Sequence, residues 1–192
     1  CSRLFKISPD ETLRIVQELY EKKMITYPRT DARVLSTAVA KEIHKNLNGL
    51  SKYDMAAPYL KDIQQFGSHK DLAKSRYVND KQITDHYAII PTGHGLSALN
   101  SVSHTAKQVY DVIVRRFLSI FYPPAVYHKI GITTQMREEQ FFANFKVLTD
   151  EGYLKVVGVG NENTADTRIF EALKNVKKGS VLPVQSLNIK EG

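Results

Sequence analysis

Leu13, Val16, Leu19 and Tyr20 recur at helical spacing behind Ser8-Pro9-Asp10-Glu11, and the spacing predicts a helix from Pro9 to about Lys22. Ser8 can cap it, Pro9 suits the first helical position, and Glu11 completes a capping box. Val39, Ile43 and Leu47 lie four apart and mark a second buried stripe, with Ser36 as its cap and Gly49 as its stop. Met24-Ile25-Thr26 reads as a short extended link between the two. From residue 50 to 84 the pattern is weaker: Tyr53, Tyr59, Leu60, Ile63 and Phe66 can join a core, Gly67-Ser68-His69 reads as a loop, and Asn79-Asp80 and Thr84-Asp85 are turn signals. Ala88-Ile89-Ile90 reads as a buried, strand-like run and Gly93-His94-Gly95 as a flexible break. Ser103 to Phe121 predicts a long helix with Val109, Ile113, Phe117 and Ile120 on one face, ended by Pro123-Pro124.

Beyond Pro124 the period changes. Val126, His128, Ile130 and Ile132 alternate with Tyr127, Lys129, Gly131 and Thr133, and Gln140 to Leu148 is rich in β-formers. Asp150-Glu151-Gly152 is a turn signal. Tyr153 to Val159 and Val181 to Ile189 follow as strand candidates, with Gly158 to Thr167 as a mobile loop. The expected fold is α+β: a mostly helical part with a helix-turn-helix-like element over residues 1–105, then a helix and an antiparallel β segment over 106–192.

Composition narrows the partners. The chain has 192 residues, 42% hydrophobic and 24% charged, enough for one large or two small domains. No apolar run approaches a membrane span, no secretory signal is visible, and the single Cys1 excludes an internal disulfide or a cysteine metal cluster. These features point to the cytoplasm. There is no initiator Met, which suggests a piece of a longer protein. The net charge of +7 fits a polyanion partner. That charge is spread, with 15 Lys/Arg against 11 Asp/Glu in residues 1–100 and 12 against 9 in 101–192, so there is no basic tail. The six His show no metal-ligand spacing.

The chemistry concentrates in the link. Tyr27 stands two residues before Arg29, with Thr30, Asp31 and Arg33 close behind. Pro28 disfavours the α region for Tyr27, so the tyrosine sits in an extended or turn conformation. A tyrosine is a weak nucleophile at neutral pH, and a fixed guanidinium nearby favours its phenoxide and steadies charge on a phosphoryl oxygen. In an extended link Tyr27 and Arg29 share a face, which ranks Arg29 above Arg33. The alternative is an exposed turn with a half-buried Tyr and solvated arginines. His86 follows a turn signal and reads as a solvated loop histidine; the strand-like Ala88-Ile89-Ile90 after it would anchor its backbone and leave its ring free. Arg115-Arg116 on the long helix are either solvated or in contact with a DNA backbone.

Two runs together resemble a known family. Ile25-Thr26-Tyr27-Pro28-Arg29-Thr30-Asp31 resembles the active-site tyrosine motif of type IA DNA topoisomerases, and Asp85-His86-Tyr87-Ala88-Ile89-Ile90-Pro91-Thr92 resembles their His-x-Ala-Ile-x-Pro-Thr motif. Pro28 and the Asp-His start are more like the topoisomerase III branch. Ala32 departs from the serine that many members carry. The resemblance implies that residues 1 to about 105 form a helical gate domain and 106–192 part of a β-rich arch domain. It implies Tyr27 as nucleophile toward single-stranded DNA, leaving a 5′-phosphotyrosine and a free 3′-hydroxyl, without ATP. Arg29 would hold the phosphate. His86 would donate a hydrogen bond to it or help move a proton, and Thr30, Asp31, Arg33, Arg115 and Arg116 are candidate DNA contacts. Mg2+ would be bound by a Toprim domain outside this chain, which leaves no metal site here and predicts that the chain alone is inactive. Two rivals are a non-enzymatic helix-turn-helix DNA-binding module and a tyrosine recombinase. The first gives no reason for the Tyr-Pro-Arg-Thr-Asp link. The second would want its Tyr near the end of the chain.

Overall fold

Capping rules account for the helix starts. After a short α1 (Ser2–Phe5), α2 (Pro9–Glu21) begins where the Ser8 hydroxyl accepts the Glu11 amide at 3.0 Å. The Glu11 carboxylate does not turn back to complete the box; it turns forward to Arg14 at 2.7 and 3.1 Å. Ile15, Val16 and Leu19 form the buried face, while Leu13 and Tyr20 lie further round the helix and are exposed. Ser36 caps α3 (Thr37–Lys41) through the Val39 amide, as expected. The single helix expected there is two, because the backbone at Glu42 (φ −100°, ψ 4°) breaks α3 from α4 (Ile43–Gly49). α4 does end at Gly49, but not by a left-handed cap: at φ −60° the glycine passes the chain straight into a 3-10 turn, Leu50–Lys52.

In α5 (Ala57–Phe66) Ile63 is buried and Phe66 is exposed, contrary to its expected core place. Gly67, at φ 67°, closes this helix, and Ser68 and His69 start a 3-10 segment rather than a loop. The long helix α6 (His104–Ser119) is capped by Ser103 and buries Ala106, Val109, Tyr110, Val114, Phe117 and Leu118. Ile113 and Ile120, expected on the buried face, sit half-buried at its edge.

The structure, a computed structural model, describes residues 1–158 and 164–186. Two compact units emerge, Cys1–Ala125 with Asp150–Gly160, and Val126–Thr149 with Asn161–Gly192. α6 belongs to the first unit because it packs on α2, so the units divide some twenty residues beyond the sequence boundary near 105. It packs also on α7 (Leu154–Val157), which corrects the strand expected from Tyr153 to Val159. Gly152 (φ 47°) fits tightly under the Pro123 and Pro124 carbonyls, where an added Cβ would stand 2.5 and 2.6 Å away. The Tyr153 amide donates to Pro123 O, and Leu154 and Val156 are buried. Seven residues are too few to separate a period of 2 from one of 3.6.

The second unit holds a two-stranded hairpin, β1 (Val126–Met136) and β2 (Glu139–Asp150), with Arg137 at φ 55° in its turn. Helix α8 (Thr164–Leu173) takes the end of the stretch expected to be a mobile loop; residues 159–163 lie outside the described ones. The strand expected from Val181 to Ile189 is not formed over 181–186, where Val181 and Val184 are 94% and 69% exposed, and 187–189 lie outside the described residues. An alternating pattern makes a strand only where a neighbour offers its amides and carbonyls. The coarse expectation of an α+β chain, helices first and an antiparallel hairpin after, stands.

Candidate active site

The two sequence motifs are one structure. Met24–Thr26 runs antiparallel to residues 90–92: the Thr26 amide donates to Ile90 O and the Thr92 amide to Met24 O, each at 3.0 Å. Ile25 faces Pro91 between these bonds, the position of an antiparallel pair that asks for no N–H, so the proline costs the ladder nothing. The Thr26 hydroxyl accepts from the Ile90 amide (2.9 Å) and donates to Ala88 O (3.2 Å). At the far end of the link the Ala88 amide donates to Val34 O, and Leu35 bridges to Val78. The Tyr27–Arg33 loop is thus pinned at both ends by the segment that follows His86. Thr30 adds a tie from inside, donating to His86 O at 2.9 Å and accepting the Ala32 amide at 3.1 Å.

Within this frame Pro28 is buried and Tyr27 is half-buried. The Tyr27 ring meets the His86 ring at 4.3 Å, tilted by 40°, and the Tyr20 ring edge-on at 5.4 Å. His86 is exposed, its backbone held by Thr30 and its ring turned to Tyr27. A cleft of about 590 Å³ opens here, and Tyr20, Lys23, Tyr27, His86, Thr92 and His94 line it. Arg29, Asp31 and Arg33 are exposed and are not among the lining residues, so the shared face expected for Tyr27 and Arg29 is not the cleft.

Three close approaches set the cleft's far wall. Gly93 (φ 79°) packs on Gly49: a Cβ on Gly49 would lie 2.5 Å from Gly93 O, and Asn46 donates to Pro91 O at 2.8 Å. Gly95 (φ 68°) packs on the Lys22 carbonyl, 2.2 Å from where its Cβ would be. The Thr92 hydroxyl donates to Lys23 O at 2.5 Å and accepts the His94 amide at 3.0 Å. Gly93-His94-Gly95 is therefore a clasp, not the flexible break its composition suggests.

The helix arginines sit elsewhere. Arg115 is half-buried and donates to Tyr59 Oη (3.1 Å) and Val156 O (2.8 Å), tying α6 to α5 and α7. Arg116 is exposed over the Tyr77 ring, whose hydroxyl accepts from Arg76 at 3.0 Å. Tyr20, Glu21, Lys23 and His94 are the cleft residues sequence reasoning missed; Thr92 entered only as the end of the second motif. Only the paired glycines around His94 signalled that this backbone is special. Among the described residues no three His, Cys, Asp or Glu side chains come together to hold a metal ion, and no helix is long and apolar enough to cross a membrane.

A family model for DNA topoisomerase matches residues 1–192, and the chain belongs to that family. Within it the chain is type IA and topoisomerase III-like. It is 33% identical over 189 residues to DNA topoisomerase 3 of Bacillus licheniformis and 33% over 191 residues to that of Bacillus subtilis. It is 30% identical over 194 residues to that of Bacillus cereus. The first two alignments take in 98% of this chain and the third 96%, but each covers only 25% of the relative, so the chain spans about a quarter of the length of the curated relatives it matches.

Proposed function

We propose that this chain carries the tyrosine of an ATP-independent topoisomerase that cuts and rejoins single-stranded DNA. The observation that carries this reading is the Tyr27 ring in an open cleft against His86, on a loop stitched to the His86 segment. The Tyr27 oxygen attacks the phosphorus of a phosphodiester and the bond to the 3′ oxygen breaks. That oxygen takes a proton and leaves as a hydroxyl, while the phosphate stays on Tyr27 as a 5′-phosphotyrosine. The diester's bond energy is kept, so attack by the 3′-hydroxyl reverses the step without ATP after another strand has passed. His86 donates to a phosphate oxygen or relays the proton, and Arg29, exposed within the loop, holds the phosphate. Thr30 and Pro28 fix the loop so that the hydroxyl is delivered without reordering, which lowers the entropic cost of attack. Asp31, Arg33 and Arg116, all exposed, are the candidate contacts of the flanking strand; Arg115 would have to give up Tyr59 and Val156 to join them. The mostly helical part acts as gate and the part carrying the β1–β2 hairpin as part of an arch. A Toprim domain elsewhere in the polypeptide holds Mg2+, so the chain by itself forms no adduct. The setting is the cytoplasm.

The test is adduct formation by the full-length protein on labelled single-stranded DNA with magnesium, read on a denaturing gel. Tyr27→Phe removes the attacking oxygen and abolishes the adduct, while changing stability by no more than about 0.5 kcal/mol. A 5′-linked adduct that persists in Tyr27→Phe overturns the assignment.

A further inference from the structure

Helix α2 ends in a Schellman turn: the Lys23 amide donates to Tyr20 O at 2.8 Å and the Met24 amide to Leu19 O at 3.0 Å. The residue this turn wants in the left-handed region is glycine, and the chain has lysine, at φ 61°. An L side chain costs free energy there. Lys6 and Arg137 also have positive φ, but neither lines this cleft. Lys23 is clamped from outside its helix as well. The Thr92 hydroxyl grips its carbonyl, and Gly95 presses on the carbonyl of Lys22. A strained residue that its surroundings over-determine at a site is a pointer to function.

The side chains divide. Lys22 is turned to Ser101, its ammonium 3.5 Å from the hydroxyl, whereas Lys23 is exposed and lines the cleft with Tyr27 and His86. Arg29 and Arg33 do not line it. The permanent cation of the cleft wall is then Lys23. Glu21, the acid on the same wall, is engaged by Gln17 at 3.1 Å.

We propose that Lys23 is a phosphate-binding residue: the left-handed turn aims its ammonium at a backbone phosphate of the single strand lying over Tyr27. This rests on the reading of Tyr27 as nucleophile. The strand's phosphate next to the one attacked is the natural partner, because an ammonium is a point charge that needs no fixed fork geometry.

The design makes binding and folding pull in opposite directions. Lys23→Gly relieves the strain and removes the charge, whereas Lys23→Arg keeps both. In the 192-residue chain Lys23→Gly is expected to raise the thermal midpoint by roughly 2–4 °C. In the full-length protein it is expected to weaken single-stranded DNA binding on the order of fivefold at low salt. The slope of log K against log salt should flatten by about 0.7, the value of one phosphate contact on a single strand. Lys23→Arg keeps wild-type affinity and slope. A Lys23→Gly protein that binds with unchanged affinity and slope overturns the proposal, and so does a Lys23→Arg protein as weak as Lys23→Gly. If the wild-type full-length protein forms no adduct at all, the nucleophile reading falls. If it forms one and Lys23→Gly binds as the wild type does, only the role of Lys23 falls.

Discussion

Tyr110 is wholly buried in α6, and its hydroxyl has no hydrogen-bond partner. Burial first, and then the Asp111 charge, push its pKa up, so it stays protonated without finding an acceptor. Two other tyrosines fare better: Tyr53, whose ring packs on Tyr110, donates to Asp111, and Tyr122 donates to Asp62 at 2.8 Å. An orphaned buried hydroxyl carries a desolvation cost that a hydrogen atom does not. Tyr110→Phe is therefore expected to raise stability by about 1 kcal/mol, seen as a higher urea midpoint with an unchanged slope; a loss of 1 kcal/mol would reveal a partner for the hydroxyl. The residues of the site were unequally legible. Tyr27 and His86 announced themselves, because a motif keeps the residue types that chemistry needs. Lys23 did not, because its importance lies in a backbone conformation that its own side chain disfavours. Tyr20 read as helix core, yet it is exposed and turns its ring toward Tyr27.

At the scale of elements, α4 and the Gly93 clasp meet backbone to backbone. Replacing a helical glycine by alanine ordinarily stabilises by up to about 1 kcal/mol. At Gly49 the sign is reversed, because the new methyl would sit 2.5 Å from Gly93 O and 2.6 Å from its Cα. Backbone cannot step aside as a side-chain tip can, so Gly49→Ala is expected to cost about 1–3 kcal/mol. It should also displace Thr92 and His94 from the cleft. Urea unfolding checks the first, and adduct yield in the full-length protein checks the second; a stabilised Gly49→Ala would show that the contact is slack. Helix starts at Ser8, Ser36 and Ser103 were legible because a cap is a local device. The pairing of residues 24–26 with 90–92 was not, because nothing local in either stretch names the other. α7 was misread for a third reason: its packing against α6 decided between two periods that seven residues leave equal.

For the molecule as a whole, the charge of +7 is spread along the sequence, so the expected affinity for DNA is collective and salt-dependent. The chain alone is expected to bind single-stranded DNA weakly, with affinity falling steeply as salt rises because counterions are released. Fluorescence anisotropy across a salt series measures this, and salt-independent or duplex-selective binding would contradict it. The sequence pattern separated helices from hairpin correctly in order; α6 reads as a fresh start, yet its buried face packs on α2.

The Thr26–Ile90 tie spans 64 residues, and that distance is also a delay. On a ribosome adding about 5–20 residues each second, Thr26 is made roughly three to thirteen seconds before the strand that will hold it. Through that interval Met24 and Ile25, both buried in the finished protein, have no Pro91 or Thr92 to cover them. The newborn tyrosine loop is sticky before it is useful, and it becomes safe to handle only when Thr92 has left the exit tunnel.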